Sequence, residues 1–192
     1  MSRLILASTS VYRRELLARL RLPFECQAPG VDESTIAGEA HTDRAVRLAL
    51  AKATVVAARN PGCTVIGSDQ VGVCKGELLE KPGDARRAHG QLQWLSAAAA
   101  TFCTAVAVLQ LERGNSLQFV DTTTVYFRAL SEAEIDRYVA LEQPFDCAGG
   151  FRCEALGIAL FSRLVSDDPT GLIGLPLIAV ARALRQLGYE LP

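Results

Sequence analysis

Short apolar runs bounded by turn residues alternate along this chain with longer stretches whose apolar residues recur at helical spacing. The first run, Leu4-Ile5-Leu6-Ala7, predicts a buried strand. Ser8-Thr9-Ser10 ends it, and Ser10 is a good N-cap for a helix that buries Leu16, Leu17 and Leu20. Residues 22–27 read as a short strand, turned by Pro29-Gly30. Thr42 or Asp43 can cap a helix to about Arg59, with Ala45, Val46, Ala49, Leu50, Ala53, Val56 and Ala57 on a wide apolar surface. Asn60-Pro61-Gly62 ends it, and residues 63–67 form a second buried strand running into Ser68-Asp69-Gln70. Residues 71–79 read as a hairpin turned at Lys75-Gly76. Asp84 caps a helix to about Leu95, with Ala85, Ala88, Leu92 and Leu95 facing inward.

Residues 101–111 and 117–127 are rich in β-branched and aromatic residues and predict a long hairpin. Ser131 and Glu134 make a capping box that opens a helix to Leu141. Residues 158–165 read as the last strand, residues 167–170 as a turn, and Pro176 suits the first turn of a closing helix that ends at Gly188. Two runs stand out from this pattern: Ser96-Ala97-Ala98-Ala99-Ala100 between a helix and a strand, and the glycine-rich stretch 147–157. With strands and helices mixed throughout, no repeat and no linker, the pattern predicts an α/β or α+β fold with a mixed sheet. A chain of 192 residues with 49% hydrophobic content and mean hydropathy +0.19 can bury a sizeable core, in one domain or in two lobes.

Net charge −1 and a pI near 6.1 argue against a broad nucleic-acid footprint, while leaving room for a compact nucleotide pocket. The N-terminus lacks the apolar core of a signal peptide, and no apolar run is long enough for a membrane span, so the expected setting is the cytoplasm. The six cysteines show no Cys-x-x-Cys spacing and predict reduced, mostly buried thiols.

Candidate chemistry begins at the first helix. Arg13 and Arg14 sit in its first turn, where the dipole disfavours cations. An anion such as phosphate would complete that arrangement; surface pairing with Asp or Glu is the plainer alternative. Lys52 lies mid-helix on the same apolar face as Leu48 and Val56, and either snorkels to solvent or directs its ammonium into a cleft. Asp69 lies at the C-terminal end of a buried strand, where α/β folds place ligands, or else caps a turn. Val31-Asp32-Glu33 reads as a solvated turn, and Lys81 precedes a rigid Pro82-Gly83 turn. Cations with one carboxylate are the inventory for cutting a phosphoanhydride: the cations hold the polyphosphate, and the carboxylate activates water or helps hold Mg²⁺.

These residues fall within a series of motifs. LILASTSxxRRxLL at 4–17, VDE at 31–33, GSDQV at 67–71, EKP at 80–82, FRxLSExEI at 127–135, AGxFxxExLGI at 148–158 and DDPTxLIGLPL at 167–177 stand in order over nearly the whole chain. In this the sequence resembles the Maf family of nucleoside triphosphate pyrophosphatases. The resemblance implies a single domain over 1–192, α/β in class, with a mixed, strongly twisted sheet flanked by helices and two lobes around a central cleft. It implies a divalent metal, Mg²⁺ or Mn²⁺, and cleavage of a nucleoside triphosphate to the monophosphate and pyrophosphate. By position, Asp69 matches the family's proton acceptor. Ser8, Arg13, Arg14, Lys52 and Lys81 match its phosphate-binding positions, and Glu33 an acidic position that serves the metal. A homodimer and a link to cell-division arrest are further implications, the latter leaving open a protein that acts by binding a partner.

Three positions tied to substrate choice in the family are Tyr12, Gln70 and Glu154 here. Gln70 and Glu154 look like the branch that hydrolyses 7-methyl-GTP, whereas the dTTP/UTP branch typically carries Arg, Thr and Gln. Physical chemistry favours the first branch independently. Methylation at N7 makes guanine cationic, Tyr12 can stack on that ring for roughly 0.5–2 kcal/mol, and Glu154 can accept two guanine N–H groups. Tyr12 as a packing residue and Glu154 as a structural ion pair are the plainer alternatives. Three departures from the family bear on pocket shape: Ala97 where a glycine after Leu95-Ser96 is usual, Ala155 in place of glycine, and Tyr12 in place of tryptophan.

Overall fold

The computed structural model describes residues 2–192. Its elements are β1 (Leu4–Leu6), α1 (Val11–Ala18), β2 (Phe24–Cys26), α2 (His41–Arg59), β3 (Thr64–Cys74), β4 (Glu77–Leu79), α3 (Ala85–Leu95), β5 (Ala99–Gln110), β6 (Asn115–Phe127), α4 (Glu132–Glu142), β7 (Phe161–Val165) and α5 (Leu177–Gln186). The strands form a seven-stranded mixed sheet in the order β2-β1-β3-β5-β6-β7, with β4 paired to β3. β1 runs parallel to β2 and β3, while β3–β4 and β6–β7 are antiparallel. The pattern predicted an α/β or α+β fold with a mixed sheet, and the family resemblance implied helices flanking it; the α/β alternative with flanking helices is the one observed. Among the described residues no helix is long and apolar enough to cross a membrane.

The chain divides into two compact units: residues 1–70, 103–121 and 168–192, and residues 71–102 with 122–167. In the first, β3 alternates its side chains between two apolar clusters. Val65 joins Ile5, Ala7, Ala53, Val56 and Ala57, the α2 side. Ile66 joins Leu6, Leu16, Leu17, Leu175, Val180 and Leu184, the α1 and α5 side. Gly67 lets α2 approach the strand closely: a Cβ there would lie 2.3 Å from Ala49 O and 2.6 Å from Ala53 N. The second unit packs Phe102, Phe127, Phe151 and Phe161 edge-to-face, with centroids 5.2 to 5.5 Å apart.

Several boundaries differ from the sequence reading. β3 is one strand through Cys74, not a strand followed by a separate hairpin arm. Ala40, not Thr42 or Asp43, is the N-cap of α2, and its side chain makes no cap bond. Ala85, the first residue of α3, is exposed. Residues 156–160 form a 3₁₀ turn rather than the start of β7, because Gly157 folds back over Arg152 O, where a Cβ would come within 2.3 Å. Of the cysteines only Cys63 and Cys74 are buried; Cys26 is exposed and the rest are half-buried. Ala97 keeps the left-handed conformation, φ +56°, that a glycine would adopt without strain. Ala155, at φ −130°, needs no glycine.

Candidate active site

The site grows from the parallel pairing of β1 with β3. Leu6 lies opposite Ile66, and Ala7 N donates to Ile66 O at 2.8 Å, so the chain leaves β1 at Ser8 where β3 reaches Ser68. Ser8 is buried and its Oγ accepts from Ser10 N at 3.1 Å, and Ser10 in turn caps α1 through Arg13 N. The hydroxyl run thus starts the helix that carries Tyr12, Arg13 and Arg14.

On the α2 face of β3, Asp69 follows Gly67. The close approach at Gly67 brings Lys52 alongside, and the Lys52 Nζ donates to Asp69 Oδ1 at 2.7 Å. Lys52 does not snorkel: it is 5% exposed, and its ammonium also lies 2.7 Å from Glu33 Oε1. Asp69 is 7% exposed, and its Oδ2 makes no hydrogen bond among the described residues. Glu33 arrives from the exposed segment between β2 and α2, with 56% of its side chain accessible. Arg44 donates to Glu33 O at 3.1 Å and Arg47 to Ser34 O at 3.2 Å, while Arg47 also pairs with Glu39, which fastens this segment to α2. Glu39 is held below its usual pKa by its hydrogen bond to Arg47. Val31-Asp32-Glu33 is therefore more than a solvated turn: Asp32 closes an Asx turn with Ser34, and Glu33 reaches the buried lysine.

The other face of β3 meets the loop before α5. Ser68 Oγ donates to Gly174 O at 2.9 Å, and Arg13 Nε donates to the same carbonyl at 3.0 Å. Among the described residues the remaining Arg13 nitrogens make no hydrogen bond and neither Arg13 nor Arg14 forms an ion pair; Arg13 is half-buried, whereas Arg14 is an exposed surface residue. Desolvation lowers the Arg13 pKa, and the charges of Asp69 and Glu33 offset part of that effect. Gln70 Nε2 donates to Gly171 O and Leu172 O at 3.0 Å each. Tyr12 is half-buried in the first turn of α1.

Ser8, Arg13, Lys52, Asp69, Gln70 and Glu33 thus all belong to the first unit. Lys81 and Glu154 belong to the second. Lys81 is exposed ahead of buried Pro82, without an ion pair among the described residues. Glu154 is exposed, with Oε2 3.5 Å from Cys153 Sγ; burial, reinforced by that carboxylate, pushes the Cys153 thiol up to about 12.

Sequence reasoning placed a turn at 167–170 but gave Asp168 no part in organising the second face of β3. Asp168 is buried: Oδ1 accepts from Thr170 N and Oγ1, and Oδ2 from Ile178 N at 2.7 Å. It therefore caps α5 from ten residues upstream. Gly171 sits where a Cβ would be 2.0 Å from Asp121 Oδ2. An acid followed two residues later by threonine was the available signal for this role of Asp168.

Two hard carboxylates on one ammonium make a donor set that suits Mg²⁺ or Mn²⁺ shared with phosphate oxygens. Among the described residues no group of three or more His, Cys, Asp or Glu forms a protein-only metal cage.

A family profile described as Maf-like protein matches residues 3–187. A Xanthomonas oryzae pv. oryzae protein named 7-methyl-GTP pyrophosphatase is 53% identical over 192 residues, covering 100% of both chains. An Albidiferax ferrireducens protein of the same name is 51% identical over 188 residues, 98% of this chain and 94% of the relative. The solved structure of the Staphylococcus aureus Ham1 protein shares the fold, with a TM-score of 0.52 over 98% of this chain and 100% of that one at 12% identity. Matched along essentially its whole length by the profile and by relatives that share about half its residues, the chain belongs to the Maf family.

Proposed function

We propose that the protein is a nucleotide pyrophosphatase that hydrolyses 7-methyl-GTP to 7-methyl-GMP and pyrophosphate. The observation that carries this reading is the buried Lys52 ammonium 2.7 Å from both Asp69 and Glu33, with Arg13 in the same unit. The name shared by the full-length relatives supports the choice of substrate.

In this reading Lys52 holds Asp69 Oδ1 and leaves Oδ2 to orient a water and take its proton as the water attacks the triphosphate. Arg13, pinned through Nε by Gly174 O, offers its other nitrogens to phosphate oxygens, with Arg14 and Ser8 as further contacts. Glu33 is the residue that would hold Mg²⁺ or Mn²⁺, which when bound would supply positive charge to the triphosphate. Lys81 for phosphate, and Tyr12, Gln70 and Glu154 for the base, complete the assignment. The cationic 7-methylguanine ring suits an aromatic face and a carboxylate, neither of which a pyrimidine would use as well. A cytoplasmic homodimer is part of the same reading, and sedimentation at twice the 20.6 kDa chain mass tests it.

The decisive variant is Asp69→Asn, assayed with 7-methyl-GTP and Mg²⁺ or Mn²⁺. It keeps the shape and removes the base, so turnover is expected to fall by about 10² or more. Wild-type turnover in this variant would reject Asp69 as the base.

A further inference from the structure

The Gln70 carboxamide is held in one orientation. Its Nε2 lies 3.0 Å from both Gly171 O and Leu172 O and 2.8 Å from Thr104 Oγ1. Carbonyl oxygens only accept, so this end of the side chain has to be the NH₂ group. Thr104 is buried, and its hydroxyl donates to Gly171 O at 2.9 Å, which leaves the hydroxyl oxygen to accept from Gln70. Gly171 N donates in turn to Asp168 O at 2.9 Å, and a Cβ on Gly171 would lie 2.0 Å from Asp121 Oδ2. At the opposite end, Gln70 Oε1 has no hydrogen-bond partner among the described residues, and the side chain is only half-buried.

Turning the carboxamide over would set Oε1 against two carbonyl oxygens and a hydroxyl whose proton is already engaged. The turn loses the hydrogen bonds of the NH₂ group and adds lone-pair repulsion. A glutamine free to turn could meet either a donor or an acceptor on a base. This one can only accept.

We propose that Thr104 is a positioning residue for substrate selection: together with the Gly171 and Leu172 carbonyls it locks Gln70 as an acceptor, so that Gln70 reads an N–H donor edge of the base. The inference rests on the pyrophosphatase reading above. Guanine offers N1–H and an amino group as donors, and the positive charge of N7-methylation strengthens both. Uracil and thymine offer a single N3–H flanked by two carbonyls, so a fixed acceptor meets one donor beside two repelling oxygens where guanine presents two adjacent donors.

The test compares kcat/KM for 7-methyl-GTP and UTP in wild type, Thr104→Val and Thr104→Ser, each in the Gln70 and Gln70→Leu backgrounds. Thr104→Val is expected to lower the 7-methyl-GTP/UTP ratio about five- to tenfold. Thr104→Ser is expected to restore it, and in the Gln70→Leu background Thr104→Val changes the ratio no further. An equal loss on both substrates, or the same drop without Gln70, would overturn the positioning role. Should Thr104→Val fail to fold, Thr104→Ala carries the same expectation. A wild-type enzyme with no preference between the two triphosphates overturns the parent reading as well. A wild-type preference left unchanged in size by Thr104→Val overturns this inference alone.

Discussion

Replacing Gly67 by alanine tests whether the packing of α2 sets the geometry of the site. The added Cβ would start 2.3 Å from Ala49 O, 2.6 Å from Ala53 N and 2.9 Å from Ala53 Cβ. Two of these neighbours are helix backbone, so no side chain can turn away. Reaching ordinary contact near ~3.5 Å takes a displacement on the order of 1 Å. Overpacking of this kind costs about 1–3 kcal/mol, or roughly 2–4 °C in Tm for each kcal/mol at this chain length. The displaced helix carries Lys52, one residue before Ala53, and the 2.7 Å bond to Asp69 has little room to stretch. A misplacement near ~1 Å can cost about 10²-fold in rate. Gly67→Ala is therefore expected to lower both Tm and kcat/KM on 7-methyl-GTP. Gly90→Ala is the control of opposite sign: it lies in the body of α3 with nothing within 4 Å of the new Cβ, and should stabilise by roughly 0.5–1 kcal/mol without touching activity. Differential scanning calorimetry and steady-state kinetics read both effects. Full activity in a destabilised Gly67→Ala variant would refute the link between helix approach and site geometry.

Ala97→Gly removes a left-handed alanine and should raise stability by roughly 0.5–1 kcal/mol, read as an upward Tm shift; a fall would show that the loop carries no strain. Asp168→Asn takes the charge from the Ile178 N–H bond at the start of α5 and should cost about 1–2 kcal/mol, measured by urea unfolding. Because the same loop presents carbonyls to Arg13, Ser68 and Gln70, kcat/KM should fall with it. Glu134 is held at about 2 by the Ser131 N–H and hydroxyl and by Arg128. Its folded pKa lies below its unfolded value, so its contribution is present above the usual carboxylate range and is lost as pH falls from about 4.5 toward about 2. Glu134→Gln should lower stability at neutral pH, where that contribution is fully present, and flatten the stability curve over the acid window, read by urea unfolding across pH.

Much of this architecture was legible in the sequence because local signals agreed with tertiary packing. The capping residues Ser10 and Asp84 and the Ser131–Glu134 box start the helices they predict. The short apolar runs found their places as β1 and the first half of β3. The α2 start was misread because two polar residues look like caps, whereas the chain enters at Ala40 and leaves Thr42 and Asp43 inside the first turn. β3 runs on through Ser68-Asp69-Gln70, polar residues that sequence patterning reads as a break but whose side chains have buried partners. At Lys52 the periodicity placed the residue on the apolar face without saying which way the ammonium turns; Asp69 and Glu33 decide that, and both are distant in sequence. The roles of Gly67, Thr104 and Asp168 were not legible, because each depends on a neighbour supplied by another part of the chain. A glycine inside a strand was the one local hint of close backbone approach.

The central claim is that this chain cleaves a cationic purine triphosphate to its monophosphate and pyrophosphate. Product analysis of the purified protein under competition, with 7-methyl-GTP, GTP, dTTP and UTP present together and Mg²⁺ or Mn²⁺ supplied, tests it most directly. The expected result is 7-methyl-GMP and pyrophosphate forming ahead of every other product. Release of orthophosphate with 7-methyl-GDP, or faster consumption of the pyrimidine triphosphates, would contradict it.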